Sequence, residues 1–285
     1  MKVPAAGRIR GSLTRLQEAA LATRFADVRL RADHTWPGGA TVLEFTASAG
    51  RYILKAAENS HHLAREARAH REWLGQLTGD VPEFVLYDAA AGLLVTRYIP
   101  GQLAKGAPQE LAPDTYRQAG SLLARMHRGD TGAPRLSTRY EAAVARKAAS
   151  LAERSVGLAP GWQLAEASAW LERFTPAPVD LVPTHGDFHP RNWLVRADGT
   201  LALIDFGRAE LRPWYTDLVR LEHQEFVGRN DLRRSLLDGY GPEADAPRGR
   251  RFVLRRVSRP LFPAAYCRSG APSRPAPPPG QGPRR

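Results

Sequence analysis

Two runs of alternating apolar and polar residues near the start of the chain predict a pair of strands. Residues 41–46 (TVLEFT) and 51–57 (RYILKAA) have the two-residue period of half-buried strands, and the short ASAG segment between them predicts a hairpin. A continuous apolar run at 92–99 (GLLVTRYI) predicts a buried strand, which Pro100 and Gly101 end. These runs together predict a small sheet.

Residues 60–77 have the helical period instead. Ser60 is placed to cap this helix, and its apolar positions would share one face. Those positions are Leu63, Ala67, His70, Leu74 and Leu77. The first part of the chain is therefore expected to form a sheet with one helix.

The pattern becomes helical after residue 101 and returns briefly to strands after residue 181. Segments 192–195 (NWLV) and 201–206 (LALIDF) flank RADGT, whose Asp198-Gly199 pair is a strong hairpin signal. The helices before this hairpin are predicted at 113–129, 140–155 and 162–174.

This succession of elements predicts an α+β fold with two lobes. A small sheet-plus-helix lobe would occupy residues 1–100, and a larger, mainly helical lobe residues 101–260, with a hinge at Pro100-Gly101. The proline- and arginine-rich residues 261–285 predict a disordered tail, and Pro260 and Pro263, at its junction with the large lobe, interrupt the helical pattern.

Composition narrows the class of protein. The chain has a single cysteine, Cys267, so neither an intrachain disulfide nor a cysteine metal cluster can form. The first residues lack the apolar core of a signal peptide, and no apolar run approaches the roughly 18 residues of a membrane span. These features predict a cytoplasmic protein without a membrane partner, and they leave its number of subunits open.

The net charge of +12 is concentrated at the end of the sequence. From Pro247 onward there are ten arginines and no acidic residue, so the rest of the chain is nearly balanced. Such a segment attracts any polyanion. Since no motif that reads bases accompanies the charge, we do not expect specific binding of nucleic acid.

Residues that can carry chemistry gather in VPTHGDFHPRNWLV (182–195) and LALIDFGRAE (201–210). The predicted hairpin brings Asn192 and Asp205 together at its open end, and amide and carboxylate oxygens suit Mg²⁺. Asp187 would lie beside that metal, free to accept a proton from a hydroxyl. The alternation of His185, Asp187 and His189 leaves a zinc site as another interpretation.

The two segments also carry a family resemblance. HGDFHPRN followed by LIDFG resembles the aminoglycoside phosphotransferase and choline-kinase-like family, whose fold is protein-kinase-like. The resemblance implies that Asp187 is the catalytic base and that Asn192 and Asp205 bind Mg²⁺. It further implies a contact of His189 with phosphate or acceptor, and structural roles for His185 and Asp217.

The resemblance also assigns nucleotide-binding residues to the first lobe. It implies that Lys55 holds the α- and β-phosphates of ATP and that Glu66 orients Lys55. Gly38 and Gly39, in WPGGATV, would let backbone N–H groups approach the phosphates, although the full G-x-G-x-x-G is missing. The backbone near Arg97, Tyr98 and Ile99 would bond the adenine.

The implied function is transfer of the γ-phosphoryl group of ATP to a hydroxyl of a small molecule. An aminoglycoside or a related antibiotic, and hence antibiotic resistance, is the first expectation; choline, a sugar or homoserine is the alternative. A catalytically inactive kinase fold that only binds its ligands stays open. Carboxylates that could face a cationic acceptor, interleaved with arginines, are Glu210, Glu222, Glu225, Asp231 and Asp238.

Overall fold

A computed structural model describes residues 12–58, 61–129 and 135–241 of the chain. These residues form seven α-helices and eleven strands. The helices are α1 (Arg15–Ala22), α2 (His61–Glu72), α3 (Pro113–His127), α4 (Tyr140–Arg154), α5 (Gly161–Arg173), α6 (Val219–His223) and α7 (Asn230–Tyr240). The strands are β1 (Arg29–Asp33), β2 (Thr41–Ala47), β3 (Gly50–Ala56), β4 (Phe84–Asp88), β5 (Leu93–Arg97), β6 (Gln102–Leu103), β7 (Arg135–Ser137), β8 (Val179–Thr184), β9 (Trp193–Val195), β10 (Leu201–Leu203) and β11 (Glu210–Arg212).

The first part of the chain builds an antiparallel sheet of five strands in the order β1-β2-β3-β5-β4. The predicted hairpin is β2 and β3, joined where Ala47 pairs with Gly50, and the predicted buried strand is β5. Alternate side chains of β2 and β3 pack on one face, where Leu43, Phe45 and Leu54 have no exposed surface. The alternation in the sequence therefore predicted both strands.

Helix α2 is shorter than the predicted helix. It ends at Glu72, and a 3₁₀ turn at Gly75–Leu77 follows it. The apolar positions Leu63 and Ala67 on α2 are buried, and so are Leu74 and Leu77, which the 3₁₀ turn directs inward. The proposed cap, Ser60, lies outside the described residues.

Helices α3 and α7 pack closely because each contributes a glycine to the contact. A Cβ atom added to Gly120 would lie 2.0 Å from the carbonyl oxygen of Leu236, and one added to Gly239 would lie 1.9 Å from that of Arg117. The predicted apolar face of α3, formed by Tyr116, Ala119, Leu123 and Met126, is fully buried. Sequence periodicity indicated α3, and α7 adds the partner on which it packs.

Two three-stranded antiparallel sheets complete the region around the candidate chemistry. The predicted hairpin forms β9 and β10, with β6 added beside β9. The second sheet has the order β11-β8-β7. Strands β1, β4, β6, β7 and β11 were not predicted from the sequence, and most of them are short or carry no clear apolar alternation.

The chain divides into two compact units. Of the described residues, the first contains those from 12 to 137 and from 179 to 241, and the second contains residues 138–178. Helices α4 and α5 belong to the second unit, and all the candidate site residues belong to the first. The predicted lobe boundary at Pro100-Gly101 falls inside the first unit and stays a prediction, while the predicted tail lies outside the described residues. In the described part of the chain, each helix is too short or too polar to cross a membrane.

Candidate active site

Lys55, Glu66 and Asp205 form a charged cluster that joins distant parts of the sequence. Lys55 lies on β3 and Glu66 on α2, and the Lys55 Nζ atom lies 2.9 and 2.8 Å from the two carboxylate oxygens of Glu66. The same Nζ donates to Asp205 Oδ1 at 2.7 Å. Lys55 and Glu66 are largely buried, whereas the Asp205 side chain is half exposed, so the cluster opens toward solvent at Asp205.

Burial and charge act in opposite directions on this cluster. Burial alone lowers the pKa of Lys55, but Glu66 and Asp205 outweigh it, so the pKa of Lys55 is raised and the group keeps its proton. Burial raises the pKa of Glu66, although the ammonium of Lys55 opposes this change. The charge of Lys55 lowers the pKa of Asp205. The half-exposed carboxylate of Asp205 is therefore ionised and able to bind a cation.

Asp205 is held at the end of the β9–β10 hairpin in an unusual backbone conformation. Its φ is 67°, a left-handed conformation that aspartate adopts more readily than most residues. The Ile204 N–H, one residue earlier, donates to the Asn192 carbonyl at 3.0 Å. The hairpin therefore brings Asn192 and Asp205 to the same end, as the sequence predicted from Asp198-Gly199.

The loop that carries Asp187 is anchored by the buried carboxylate of Asp217. Asp217 accepts from the backbone N–H groups of His185, at 2.8 Å, and Gly186, at 2.6 Å. His127 lies on the other side, with its Nε2 atom 3.1 Å from Asp217 Oδ2. Its Nδ1 atom is 2.8 Å from the Tyr240 hydroxyl. This buried chain connects the loop to α3 and α7.

Gly186 permits the sharp turn of this loop. Its φ is 77°, and an added Cβ atom would lie 2.1 Å from the carbonyl oxygen of Arg208. A side chain at this position would collide with backbone that cannot move aside. The glycine of the HGD motif is thus required by both conformation and space.

The carboxylate of Asp187 contacts two basic side chains. Arg220 Nη1 donates to Asp187 Oδ1 at 2.8 Å, and His189 Nε2 lies 3.4 Å from the same oxygen. Partial burial by itself raises the pKa of Asp187, but His189, Arg208 and Arg220 reverse this effect and hold the pKa far below its usual value. Asp187 is therefore a carboxylate at neutral pH, and within the described residues its contacts leave Oδ2 open.

Asn192 is oriented by the same loop. Its Nδ2 atom donates to the Asp187 carbonyl at 2.8 Å, so the amide oxygen is the atom that faces away from this bond. An amide oxygen next to an ionised, half-exposed carboxylate is a donor set that suits Mg²⁺ when waters and phosphate oxygens supply the other ligands. The residues therefore fit the predicted metal.

The rings of the two loop histidines are directed to different partners. His185 is buried, its Nε2 atom lies 3.1 Å from the Ile204 carbonyl, and its Nδ1 accepts from the Asp187 N–H at 3.4 Å. Burial lowers the pKa of His185, so the ring is neutral. His185, Asp187 and His189 do not converge on one point, and the described residues contain no cluster of three histidine, cysteine or acidic side chains able to hold a metal. The geometry gives no support to the zinc interpretation.

The remaining predicted nucleotide-binding residues lie on the five-stranded sheet. Gly38 and Gly39 form the turn between β1 and β2, and the φ of Gly38 is 75°. At the end of β5 the Arg97 N–H donates to the Glu83 carbonyl, and just after it the Tyr98 N–H donates to the Arg51 carbonyl. These two N–H groups are therefore occupied, which narrows the expected adenine contacts to Ile99 and the carbonyl groups of the segment.

Sequence reasoning missed two residues of the site. Arg220 touches Asp187, and His127 supports Asp217. Arg220 follows Asp217 by three positions, on the short helix α6, and only this helical spacing hinted that both could face the same loop. His127 comes from α3, 90 residues from Asp217 in sequence, so no local signal connected them.

The fold is that of protein-kinase-like phosphotransferases. Among the solved structures that resemble it is a macrolide 2'-phosphotransferase from Brachybacterium faecium, with 20% identity over 90% of this chain and 93% of that chain and a TM-score of 0.63. A choline kinase from Streptococcus pneumoniae is 16% identical over 90% of this chain and 92% of that chain, with a TM-score of 0.59. A spectinomycin phosphotransferase in complex with ADP and spectinomycin is 13% identical over 88% of this chain and 86% of that chain, with a TM-score of 0.56. At these identities the similarity establishes the fold alone. The predicted α+β class is confirmed.

The family follows from the sequence itself. The model of the phosphotransferase enzyme family, APH, matches residues 38–253, which is more than half of the 285 residues. The chain therefore belongs to this family, and the resemblance inferred from its motifs is confirmed. Among curated proteins, none matches the sequence.

Proposed function

We propose that this protein transfers the γ-phosphoryl group of ATP to a hydroxyl of a small molecule. The observation that carries the proposal is the joint arrangement of Lys55 against Glu66 and Asp205, and of Asp187 against Asn192. These five residues come from four segments of the chain, and their contacts support one site. The ADP held by the similar spectinomycin phosphotransferase supports a nucleotide donor.

In this mechanism Lys55 binds the α- and β-phosphates, and Glu66 keeps its ammonium in place. Asn192 and Asp205 would hold Mg²⁺, which neutralises phosphate charge when it is bound. The Gly38-Gly39 turn offers the Gly38 N–H to the phosphates, since the Gly39 N–H already donates to the Trp36 carbonyl at 2.9 Å, and the backbone at Ile99 offers bonds to the adenine. The protein contributes mainly position and charge, which phosphoryl transfer needs most.

Asp187 orients the acceptor. Its open oxygen, Oδ2, accepts a hydrogen bond from the attacking hydroxyl, whose oxygen then bonds the γ-phosphorus while the bond to the β–γ bridging oxygen breaks. ADP leaves, and the hydroxyl proton passes to Asp187. Because the pKa of Asp187 is far below its usual value, the carboxylate acts chiefly by holding the hydroxyl in line, and the proton moves late.

An aminoglycoside or a related antibiotic is the first candidate acceptor. Family membership supports it, as do the structural similarities to phosphotransferases named for a macrolide and for spectinomycin. Glu225 offers a carboxylate for an amine: its Oε2 atom is buried without a hydrogen-bond partner in the described part of the chain. An acceptor ammonium would satisfy that oxygen.

A small metabolite alcohol is the second candidate, and a specific observation favours it. Three of the carboxylates considered for a cationic acceptor already pair with arginines: Glu210 with Arg212, Glu222 with Arg233 and Asp231 with Arg229. A polycation would find few free carboxylates there. The similarity to a choline kinase agrees with an acceptor of low charge.

The test is release of ADP from Mg-ATP in the presence of aminoglycosides, macrolides, basic peptide antibiotics, choline, homoserine and simple sugars. We expect one class to stimulate release by the wild type and not by Asp187→Asn, which should still bind Mg-ATP. Asp205→Ala should lose the Mg²⁺-dependent part of nucleotide binding, measured by calorimetry. Full turnover by Asp187→Asn would refute the assignment of this residue, and nucleotide binding without any stimulated release would favour an inactive binding module.

A further inference from the structure

We infer that Arg220 is a positioning residue that fixes the orientation of the Asp187 carboxylate. The inference rests on the proposed function but adds a residue that the sequence motifs do not contain. Arg220 Nη1 lies 2.8 Å from Asp187 Oδ1. Arg220 Nε donates in turn to Gln224 Oε1 at 3.2 Å, one helical turn further along, so the guanidinium is held at both ends.

The short segment that contains Arg220 contacts the loop of Asp187 at two points. Asp217 binds the loop backbone at His185 and Gly186, and Arg220 binds the Asp187 side chain. The 3₁₀ turn Trp214–Leu218 runs directly into α6, so the two contacts are rigidly linked. One contact sets where the loop lies, and the other sets which carboxylate oxygen faces the acceptor.

Arg220 determines which carboxylate oxygen of Asp187 stays free, because Arg220 and His189 both approach Oδ1. An acceptor hydroxyl must then bond Oδ2, which removes one of the two equivalent ways in which a carboxylate could receive it. Without Arg220 the carboxylate could rotate about its χ2 torsion, a broad and soft one. Displacement of a reacting group by about 1 Å can lower a rate about a hundredfold.

The variants that test this are Arg220→Met, which keeps length without charge, and Arg220→Lys, which keeps charge. Arg233→Met is the matched control, because Arg233 pairs with Glu222 at the same distance of 2.8 Å and is similarly exposed. The first measurement is the NMR signal of the Asp187 carboxyl carbon at a single neutral pH, with Asp187 identified by the signal missing from Asp187→Asn. We expect Arg220→Met to shift this signal, because the carboxylate loses its partner and can rotate, and Arg233→Met to leave it in place.

The second measurement is kcat and KM for Mg-ATP at neutral pH, with water and with the panel compounds as acceptors. We expect kcat of Arg220→Met to fall about tenfold to a hundredfold and the KM for ATP to stay within about twofold of wild type. Arg220→Lys or added guanidinium should restore part of the rate. A carboxyl signal of Asp187 that stays unchanged in Arg220→Met, or that moves equally in Arg233→Met, would overturn the inference. Absence of turnover in the wild type would count against the proposed function alone, and the carboxyl signal would then decide on Arg220.

Discussion

Asp217 shows how one buried side chain sets the geometry of a site that it does not enter. Its two carboxylate oxygens accept from the N–H groups of His185 and Gly186, and His127 supports it from behind. Burial alone raises the pKa of Asp217, but His127, His185 and the loop N–H groups outweigh it and lower the pKa. The ionised form is therefore the one that stabilises the fold.

This direction of shift predicts how stability depends on pH. Since the pKa of Asp217 is lower in the folded chain than in the unfolded chain, its contribution is present above about pH 4 and is lost as pH falls through the folded value. Asp217→Asn can accept through only one oxygen, so we expect a loss of about 1 to 3 kcal/mol at neutral pH. The slope of stability below about pH 4 should also become shallower. Urea denaturation across pH measures both.

The exposed Asp238, on α7, provides the control for this experiment. Asp238→Asn makes the same chemical change without touching the loop, and its unfolding free energy should stay within about 0.5 kcal/mol of wild type. If Asp217→Asn behaved like Asp238→Asn, Asp217 would not anchor the loop.

At the scale of elements, the contact between α3 and α7 depends on having no side chain at Gly120 and Gly239. Alanine favours a helix over glycine by about 1 kcal/mol when nothing else changes. At Gly120 a new methyl group would overlap the Leu236 carbonyl, which belongs to a packed helix and cannot move freely. The steric overlap should therefore make alanine at position 120 destabilising, although helix propensity alone predicts that it would stabilise the fold.

We expect Gly120→Ala to lower the free energy of unfolding by about 1 to 3 kcal/mol. Gly161→Ala is the matched control, because Gly161 begins α5 and an added Cβ atom there meets nothing within 4 Å. The control should be neutral or slightly stabilising in the same urea denaturation. Equal effects of the two variants would mean that α3 and α7 do not pack at this distance.

At the scale of the whole molecule, the site connects segments that lie far apart in sequence. Lys55 and Asp205 are separated by 150 residues in sequence, and the Lys55 Nζ atom lies 2.7 Å from Asp205 Oδ1. A ligand that binds such a cluster stabilises every segment that must be folded to form it. Binding to the native state raises the unfolding free energy by about 2.7 kcal/mol when the ligand is at 100 times its Kd.

Mg-ATP should therefore raise the melting temperature of the wild type in a thermal-shift experiment. Lys55→Ala removes the proposed phosphate contact and leaves Glu66 buried without its partner, so we expect a lower starting temperature and almost no increase with Mg-ATP. Arg233→Met, whose side chain lies outside the proposed site, is expected to keep the full increase. An undiminished increase in Lys55→Ala would exclude this lysine from nucleotide binding.

Elements whose apolar residues repeat clearly could be predicted from the sequence. The hairpin of β2 and β3, the buried strand β5, helix α3 and the β9–β10 hairpin all have such patterns. Strands such as β6 and β11 are only two and three residues long, and no period can be recognised over so few positions. Their existence depends on the neighbours that they pair with.

The motif residues show the same division. The order of Asp187, Asn192 and Asp205 predicted the family, and the model of the phosphotransferase enzyme family confirmed it. The functions of Lys55, Glu66 and Asp187 stay predictions. In the structure Lys55 contacts Glu66, and Asp187 shares a loop with Asn192. The roles of Arg220 and His127 could not be found in this way, because each depends on a contact between elements.

The sequence by itself determined the class of fold, the main elements and the order of the reactive residues, since these depend on local periodicity, turn chemistry and spacing. Only the tertiary structure decided which charges meet. It placed Lys55 between Glu66 and Asp205, set Asp217 under the loop and turned Arg220 toward Asp187. The physical reason is that a pKa and a hydrogen bond depend on distance and burial, which the packing of separate segments creates.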